Sequence, residues 1–101
     1  MLTSDATFAK DIANKTCIVK FTALWCSPCK SIEPILQGMT KKFPWLTVLK
    51  LDVDENPITV GAYQINSVPV CILFKRGKPA HQVMGTFTSA QLESYIKEYL
   101  L

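Results

Sequence analysis

The chain has 101 residues, 49% of them hydrophobic, and a formal net charge of +3 at pH 7. This length supports one domain with a real core, residues 1–101, and leaves no room for a second. No apolar run reaches the roughly 18 residues of a membrane span, and the lysines are scattered, so we expect neither a membrane nor a nucleic acid as partner. The first residues lack the basic and apolar parts of a secretory signal, so we expect a cytoplasmic protein. A mature chain from which a signal had been removed would look the same.

The first predicted elements are a helix and a strand. Residues 4–14 read as a helix, with Thr3 or Ser4 as its cap and Asp5 in its first turn. Residues 17–22 form a continuous β-forming run, which predicts a central strand.

Two cysteines follow, where the apolar run gives way to a helical pattern. Cys26 and Cys29 are spaced i and i+3, which places Cβ atoms on a helix about 5–6 Å apart, near the distance a disulfide needs. Free N–H groups at a helix start stabilise a thiolate, so Cys26 is predicted to be the nucleophile. Cys29 lies one turn further in, is expected to be less exposed, and suits a resolving thiol. The helical spacing continues to about residue 42, and Pro34 should kink the helix.

The second half of the chain completes the order helix, strand, helix, strand, helix, strand, strand, helix. Its predicted elements are a buried strand at residues 46–53, a short helix at 56–63, an antiparallel hairpin of strands 70–75 and 80–86, and a last helix at 88–100 that starts with a capping box. Asn56 is expected to cap the short helix, with Pro57 at its first position. The two strands around the cysteine helix predict a right-handed parallel βαβ unit, with helices on both faces of the sheet.

The other two cysteines, Cys17 and Cys71, stand inside apolar strands and are predicted to be small core residues. The alternatives are an oxidisable Cys71 near the active-site surface and a bridge from Cys17 to Cys71. We expect no metal site, because a single CxxC lacks a second pair and the only histidine, His81, lies in another segment.

The chain resembles the thioredoxin family over nearly its whole length. The resemblance rests on segments in the family's order: FTALWCSPCK at 21–30, PIL at 34–36, LDVD at 51–54, INSVPV at 65–70, and FKRG at 74–77 followed by Gly85. It implies an α/β thioredoxin fold, with a central four- or five-stranded mixed sheet flanked by helices on both faces.

The resemblance also implies a substrate surface. The Val68–Pro69 peptide bond would be cis, would face the two thiols and would leave the Val68 backbone open for a substrate strand to pair with. The residues expected to contact substrates are Trp25, Ser27, Pro28, Val68, Pro69, Met84 and Gly85. Alternatively, each could be an ordinary turn or loop residue.

One strand position departs from the family pattern. Six residues before the nucleophilic cysteine, thioredoxins usually bury an aspartate that helps take the proton of the resolving thiol, whereas this chain has Lys20. A buried ammonium needs a partner, and Glu33, at i+4 from Cys29, points toward the same strand. We hypothesise that Glu33 accepts the proton of Cys29 while Lys20 holds Glu33 ionised. In the alternatives, Glu33 is solvated and Lys20 reaches water, or repulsion from Lys50 yields a neutral lysine that acts as the base.

These features predict a thiol-disulfide oxidoreductase that reduces protein disulfides through Cys26 and Cys29. It would need no bound cofactor, would work as a monomer, and would be re-reduced by a thioredoxin reductase, as the resemblance suggests. Neither of the two residues between the cysteines, Ser27 and Pro28, is a histidine, so we expect a reducing potential closer to the thioredoxin value of about −270 mV than to the isomerase value of about −180 mV. The alternatives are a disulfide isomerase or oxidase module and a non-catalytic binding module.

Overall fold

Four strands form one mixed sheet, in the order β2-β1-β3-β4, in the computed structural model, which describes residues 1–101. The elements are α1 Phe8–Ile12, β1 Cys17–Thr22, α2 Ser27–Ser31, α3 Glu33–Lys42, β2 Thr47–Asp52, α4 Pro57–Ala62, β3 Val70–Lys75, β4 Lys78–Met84 and α5 Ser89–Tyr99. β1 is parallel to β2 and antiparallel to β3, and β3 is antiparallel to β4. The predicted thioredoxin fold is confirmed.

The N-terminal residues pair with the outer edge of β2 and extend the sheet by one short segment. Leu2 pairs with Lys50 in an isolated parallel bridge on the free edge of β2. The Thr3 N–H donates to the Lys50 carbonyl at 2.9 Å, and the Lys50 N–H donates to the Met1 carbonyl at 2.8 Å. The N-terminal residues therefore cover the edge of the strand that carries Lys50.

Side chains alternate along β1 and divide the core into two layers. Ile18 joins the layer under α3 and α5, whereas Cys17, Val19 and Phe21 join the layer under α1. All six residues of β1 are buried, as expected of a central strand that is covered on both faces. Lys20 is the one charged residue in this strand, and it is only 3% exposed.

The same alternation separates the two remaining cysteines. Cys17 belongs to the layer under α1 and Cys71 to the layer under α3 and α5, and both are free thiols with 0% exposure. The alternative of a bridge between them is therefore wrong, because the sheet lies between the two side chains. The alternative of a surface-accessible Cys71 is wrong as well, and the prediction of two core residues is confirmed.

The first helix is shorter than predicted. α1 spans only Phe8–Ile12, and neither Thr3 nor Ser4 caps it, since its N-cap is Thr7 without a side-chain bond. The Thr3 hydroxyl donates instead to Asp11 Oδ2 at 2.8 Å. The Thr3 hydroxyl therefore bonds a side chain within α1 rather than a free N–H at a helix start.

Asn56 is the N-cap residue of α4 and Pro57 its first residue, as predicted, but the Asn56 side chain makes no capping bond. Its amide donates to the Asp52 carbonyl at 2.8 Å. The free N–H groups of Ile58 and Thr59 are accepted by the carboxylate of Asp5, at 3.1 and 2.8 Å. Asp5, predicted to lie in the first turn of its own helix, therefore caps a helix about fifty residues further along the chain.

Other element predictions hold in outline. The helix after the cysteines is interrupted at Ile32, beside Pro34, and the capping box of Thr88 and Gln91 is present. β4 begins at Lys78 and ends at Met84 rather than spanning 80–86. It ends there because Gly85 has a φ of +84°, which a strand cannot continue through.

Candidate active site

Cys26 and Cys29 form a disulfide at the start of α2, with their Cα atoms 5.4 Å apart. Cys26 is the N-cap residue of α2, and its Sγ accepts the N–H of Cys29 at 3.2 Å. Cys26 is 3% exposed and Cys29 1%. The expected difference in exposure is thus small in this oxidised state, and the N–H donated to Cys26 is the feature that distinguishes the two sulfurs.

The indole of Trp25 projects from the turn before the cysteines and is 70% exposed. Its Nε1–H donates to Asp54 Oδ2 at 2.9 Å. Beside it lies an apolar groove of about 170 Å³, lined by Trp25, Val53, Val60, Ile65, Asn66, Ser67 and Val68. The indole forms one wall of this groove, next to the cysteine pair.

The Val68–Pro69 segment packs against the two cysteines. Its peptide bond is cis, as the resemblance implies, and the Val68 side chain contacts the small cluster that contains Cys26 and Cys29. No group in the chain pairs with the backbone N–H or carbonyl of Val68. A free backbone edge therefore lies beside the redox pair.

The end of β4 lies next to this segment. Met84 pairs with Val70, directly after Pro69, and is 73% exposed, while the Gly85 N–H donates to the Pro69 carbonyl at 2.9 Å. Ser27 and Pro28, between the cysteines, are also exposed. The residues that the resemblance assigns to the substrate surface thus occupy positions on either side of the cysteine pair.

Lys20, Glu33 and Lys50 meet beneath the cysteines. Lys20 Nζ donates to Glu33 Oε1 at 2.7 Å and lies 3.5 Å from the Cys29 carbonyl oxygen. Lys50, in register with Lys20 on the neighbouring strand, donates to the same Glu33 oxygen at 3.2 Å. In the alternative, Glu33 is solvated and Lys20 reaches water; the part on Lys20 is wrong, because Lys20 is buried against Glu33, whereas the Glu33 side chain is indeed exposed to solvent.

The charge balance of this cluster favours an ionised Glu33. The hydrogen bond from Lys20, and then that from Lys50, hold the pKa of the Glu33 carboxyl below its usual value, against some desolvation. The carboxylate lies between the two ammonium groups and screens one from the other. An exposed fraction of 44% leaves the Glu33 side chain in contact with solvent.

A cavity connects this cluster to solvent near the cysteine helix. It has a volume of about 510 Å³ and is lined by Leu2, Thr22, Ala23, Leu24, Lys30, Glu33, Lys50, Asp52 and Glu55. Glu33 and Lys50 both line it, whereas Lys20 does not. Solvent in this cavity can therefore reach Glu33, while Lys20 lines a separate cavity of about 170 Å³ together with Glu33 and Lys50.

Asp54 is a site residue that the sequence predictions did not include. It accepts the Trp25 indole N–H, and its own N–H donates to Asp52 Oδ1 at 2.9 Å. Both aspartates belong to the LDVD segment that supports the resemblance, so the signal was present without an assigned role. The chain has no group of three or more His, Cys, Asp or Glu side chains placed to hold a metal, and no helix long and apolar enough to cross a membrane.

A mixed sheet with a cysteine pair at the start of a helix defines a thioredoxin-fold dithiol–disulfide protein. The family model described as Thioredoxin matches residues 1–98, and the chain belongs to the thioredoxin family. It is accordingly a thiol-disulfide oxidoreductase that reduces protein disulfides through a cysteine pair, Cys26 and Cys29.

Several thioredoxins are similar to this chain. The thioredoxin of Mycobacterium tuberculosis is 45% identical over 92 residues, covering 88% of this chain and 79% of the relative. The thioredoxin of Staphylococcus aureus is 37% identical over 98 residues, covering 96% and 94%. A chain from a structural study of the thiol resolving mechanism in yeast mitochondrial 1-Cys peroxiredoxin via glutathione/thioredoxin systems superimposes with a TM-score of 0.87 at 27% identity, covering 97% of this chain and 93% of that one.

Proposed function

We propose that Cys26 and Cys29 act as a reducing pair with separate roles. The Cys26 thiolate attacks one sulfur of a substrate disulfide, breaks that bond and expels the other sulfur as a thiolate. The Cys29 thiolate then attacks Cys26 Sγ, releases the second substrate sulfur and leaves the Cys26–Cys29 disulfide. The assignment of Cys26 as the attacking thiol rests on one hydrogen bond. The backbone N–H of Cys29 donates to Cys26 Sγ, and the same donor stabilises a Cys26 thiolate.

Glu33 is the proposed acceptor for the proton of Cys29. It is one helical turn beyond Cys29, and the Lys20 ammonium contacts both the Glu33 carboxylate and the Cys29 carbonyl. The ionised carboxylate supports this role, and the cavity lined by Glu33 lets the carboxylate exchange protons with solvent. Lys20 and Lys50 hold the carboxylate in place. Their donation to it argues for Glu33 rather than a neutral lysine as the base.

The groove and the free backbone of Val68 are the proposed docking site for substrates. An extended peptide that pairs with Val68 would lie between Trp25 and the end of β4, with its disulfide at Cys26. Trp25, Val68 and Met84 supply apolar contact, and Ser27, Pro28, Pro69 and Gly85 complete the surface. Trp25 and Met84 are large apolar side chains that are 70% and 73% exposed, which supports a role of this surface in binding a partner.

The proposed setting is that of a cytoplasmic electron carrier. The chain would act as a monomeric single domain, residues 1–101, with the two cysteines as its only redox group and a thioredoxin reductase as electron donor. Neither a nucleic acid nor a membrane is proposed as a partner. The similarity to bacterial thioredoxins over most of the chain supports this setting.

Trapping of mixed disulfides tests the reductase proposal. A Cys29→Ser variant retains the attacking thiol but cannot resolve the intermediate, so it should hold substrate proteins covalently on Cys26. Cys26→Ser is the matched control and should hold none. A Cys29→Ser protein that captures no disulfide substrate would contradict the proposal, and full function in a Cys26→Ser, Cys29→Ser double variant would show a binding module.

A further inference from the structure

Four hydrogen bonds, connected through the residues between them, lead from the backbone N–H of Asp5, near the N-terminus, to the indole of Trp25. The Asp5 N–H donates to Asn56 Oδ1 at 2.8 Å, and Asn56 Nδ2 donates to the Asp52 carbonyl at 2.8 Å. Asp52 Oδ1 accepts the N–H of Asp54 at 2.9 Å, and Asp54 Oδ2 accepts the Trp25 indole at 2.9 Å. The path joins residues that are distant in sequence and ends at the groove beside the cysteines.

Asp5 is firmly anchored at its end of the path. Its carboxylate accepts the Ile58 N–H at 3.1 Å, the Thr59 N–H at 2.8 Å and the Thr59 hydroxyl at 2.6 Å. Desolvation would raise the pKa of Asp5, but the bonds from Thr59 and Ile58 outweigh it, so the pKa lies below its usual value. Asn56, 8% exposed, uses both ends of its amide in the path. The N-terminal segment and the start of α4 therefore hold each other in place.

Trp25 depends on the other end of the path. Its indole is 70% exposed and its N–H has a single partner, Asp54. Asp54 lies in the short connection between β2 and α4. Hydrogen bonds from the Asn56 amide and the Asp54 N–H to Asp52 stabilise this connection. A shift of this connection would move the acceptor of the indole, and with it one wall of the groove.

We propose that Asp5 is a positioning residue for substrate docking: its carboxylate, bound to the start of α4, holds its backbone N–H on Asn56, and through Asn56, Asp52 and Asp54 this contact fixes the indole of Trp25 as the wall of the groove beside Cys26. The kinetic part of this inference rests on the proposed docking role of Trp25. The orientation of the indole does not rest on that role and is measured separately.

The indole N–H of Trp25 reports its orientation directly. In ¹⁵N-labelled protein the two tryptophan indole signals are told apart with Trp45→Phe, and hydrogen exchange of the Trp25 signal is compared between wild type and Asp5→Ala. We expect exchange to be faster by roughly two- to thirtyfold, the range typical of residues coupled through a network. Asp11→Ala is the matched control: Asp11 is another N-terminal carboxylate and accepts the Thr3 hydroxyl, but it is outside the path.

Kinetics separate the inference from the proposed function. Asp5→Ala should raise KM for a protein disulfide with little change in kcat, and should leave the reaction with a small aromatic disulfide at the wild-type rate. Unchanged indole exchange in Asp5→Ala, or an equal change in Asp11→Ala, would overturn the positioning role. Faster exchange with an unchanged KM would overturn the docking role of Trp25 instead. If Asp5→Ala does not fold, Asp5→Asn, which keeps one acceptor oxygen, takes its place with the same criteria.

Discussion

Lys20 Nζ and Glu33 Oε1 lie 2.7 Å apart beneath the cysteine pair, one on the central strand and the other on α3. An ammonium that is 3% exposed would be costly to bury alone, and Glu33 supplies the opposite charge. Lys50 adds a second positive charge at 3.2 Å from the same oxygen. The position that bears an aspartate in most thioredoxins thus carries the opposite charge here, and the carboxylate is provided from the helix.

Glu33→Gln should slow the resolving step. If Glu33 takes the proton of Cys29, loss of the carboxylate removes the acceptor, and resolution of a preformed mixed disulfide should fall by roughly 10²-fold near neutral pH. The rate should recover at higher pH, where hydroxide removes the proton. Rapid-mixing kinetics of a Cys26 mixed disulfide measure this step, with Glu98→Gln on α5 as a distant control. An unchanged rate and pH profile would remove Glu33 from the mechanism.

Acid should remove a contribution of Glu33 to stability. The pKa of Glu33 is lowered in the folded protein, so its contribution to stability is fully present above the unfolded pKa of about 4.3 and is lost as pH falls through the folded pKa. Urea unfolding from pH 7 to 3 should therefore show a smaller decline for Glu33→Gln than for wild type. Parallel curves for the two proteins would contradict the ionic coupling to Lys20.

Cys17 and Cys71 should be inert in the folded protein. Burial raises the pKa of the Cys17 thiol to about 11 and that of Cys71 to about 12, so neither forms an appreciable thiolate at pH 7. Iodoacetamide added to the reduced protein should modify Cys26 first and leave these two thiols free until denaturant is present. Peptide mass mapping checks the order. Modification of Cys71 in the folded state would show an access route that its burial does not provide.

Trp25→Ala should weaken docking without disabling the thiols. Loss of a large exposed aromatic at the edge of an interface groove typically costs enough to raise KM for a protein disulfide about tenfold. The rate with a small aromatic disulfide should be almost unchanged. Trp45→Ala, which removes an exposed tryptophan packed on Phe43, is the matched control and should leave KM at its wild-type value. Equal effects of the two substitutions would argue against a docking role specific to Trp25.

The sequence predicted most of the features that depend on local pattern. The strands, the interrupted cysteine helix and the capping box of Thr88 and Gln91 follow from periodicity and turn chemistry. Spacing on the helix also placed Glu33 on the side of α3 that faces Lys20, and the two side chains are in contact. Short-range rules worked because each of these features depends on residues a few positions apart or on one face of one element.

Features that join distant segments could not be predicted in the same way. The capping bond from the Thr59 N–H to Asp5 spans 54 positions in the sequence, and the bond from Trp25 to Asp54 spans 29 positions. Local rules place Asn56 correctly at the N-cap position but also assign it the capping bond, because they cannot show that its amide is already used by Asp52 and Asp5. Only the packing of the N-terminus against α4 decides which oxygen reaches the free N–H groups.

The reduction potential of the Cys26–Cys29 pair tests the proposed reductase role most directly. It is measured by equilibrating the protein with glutathione or dithiothreitol buffers and quantifying the oxidised fraction after acid quench and alkylation. A reductase should give a value of about −270 mV, as is typical of thioredoxins. A value above about −220 mV, toward that of disulfide isomerases, would contradict the reductase assignment and favour an isomerase or oxidase.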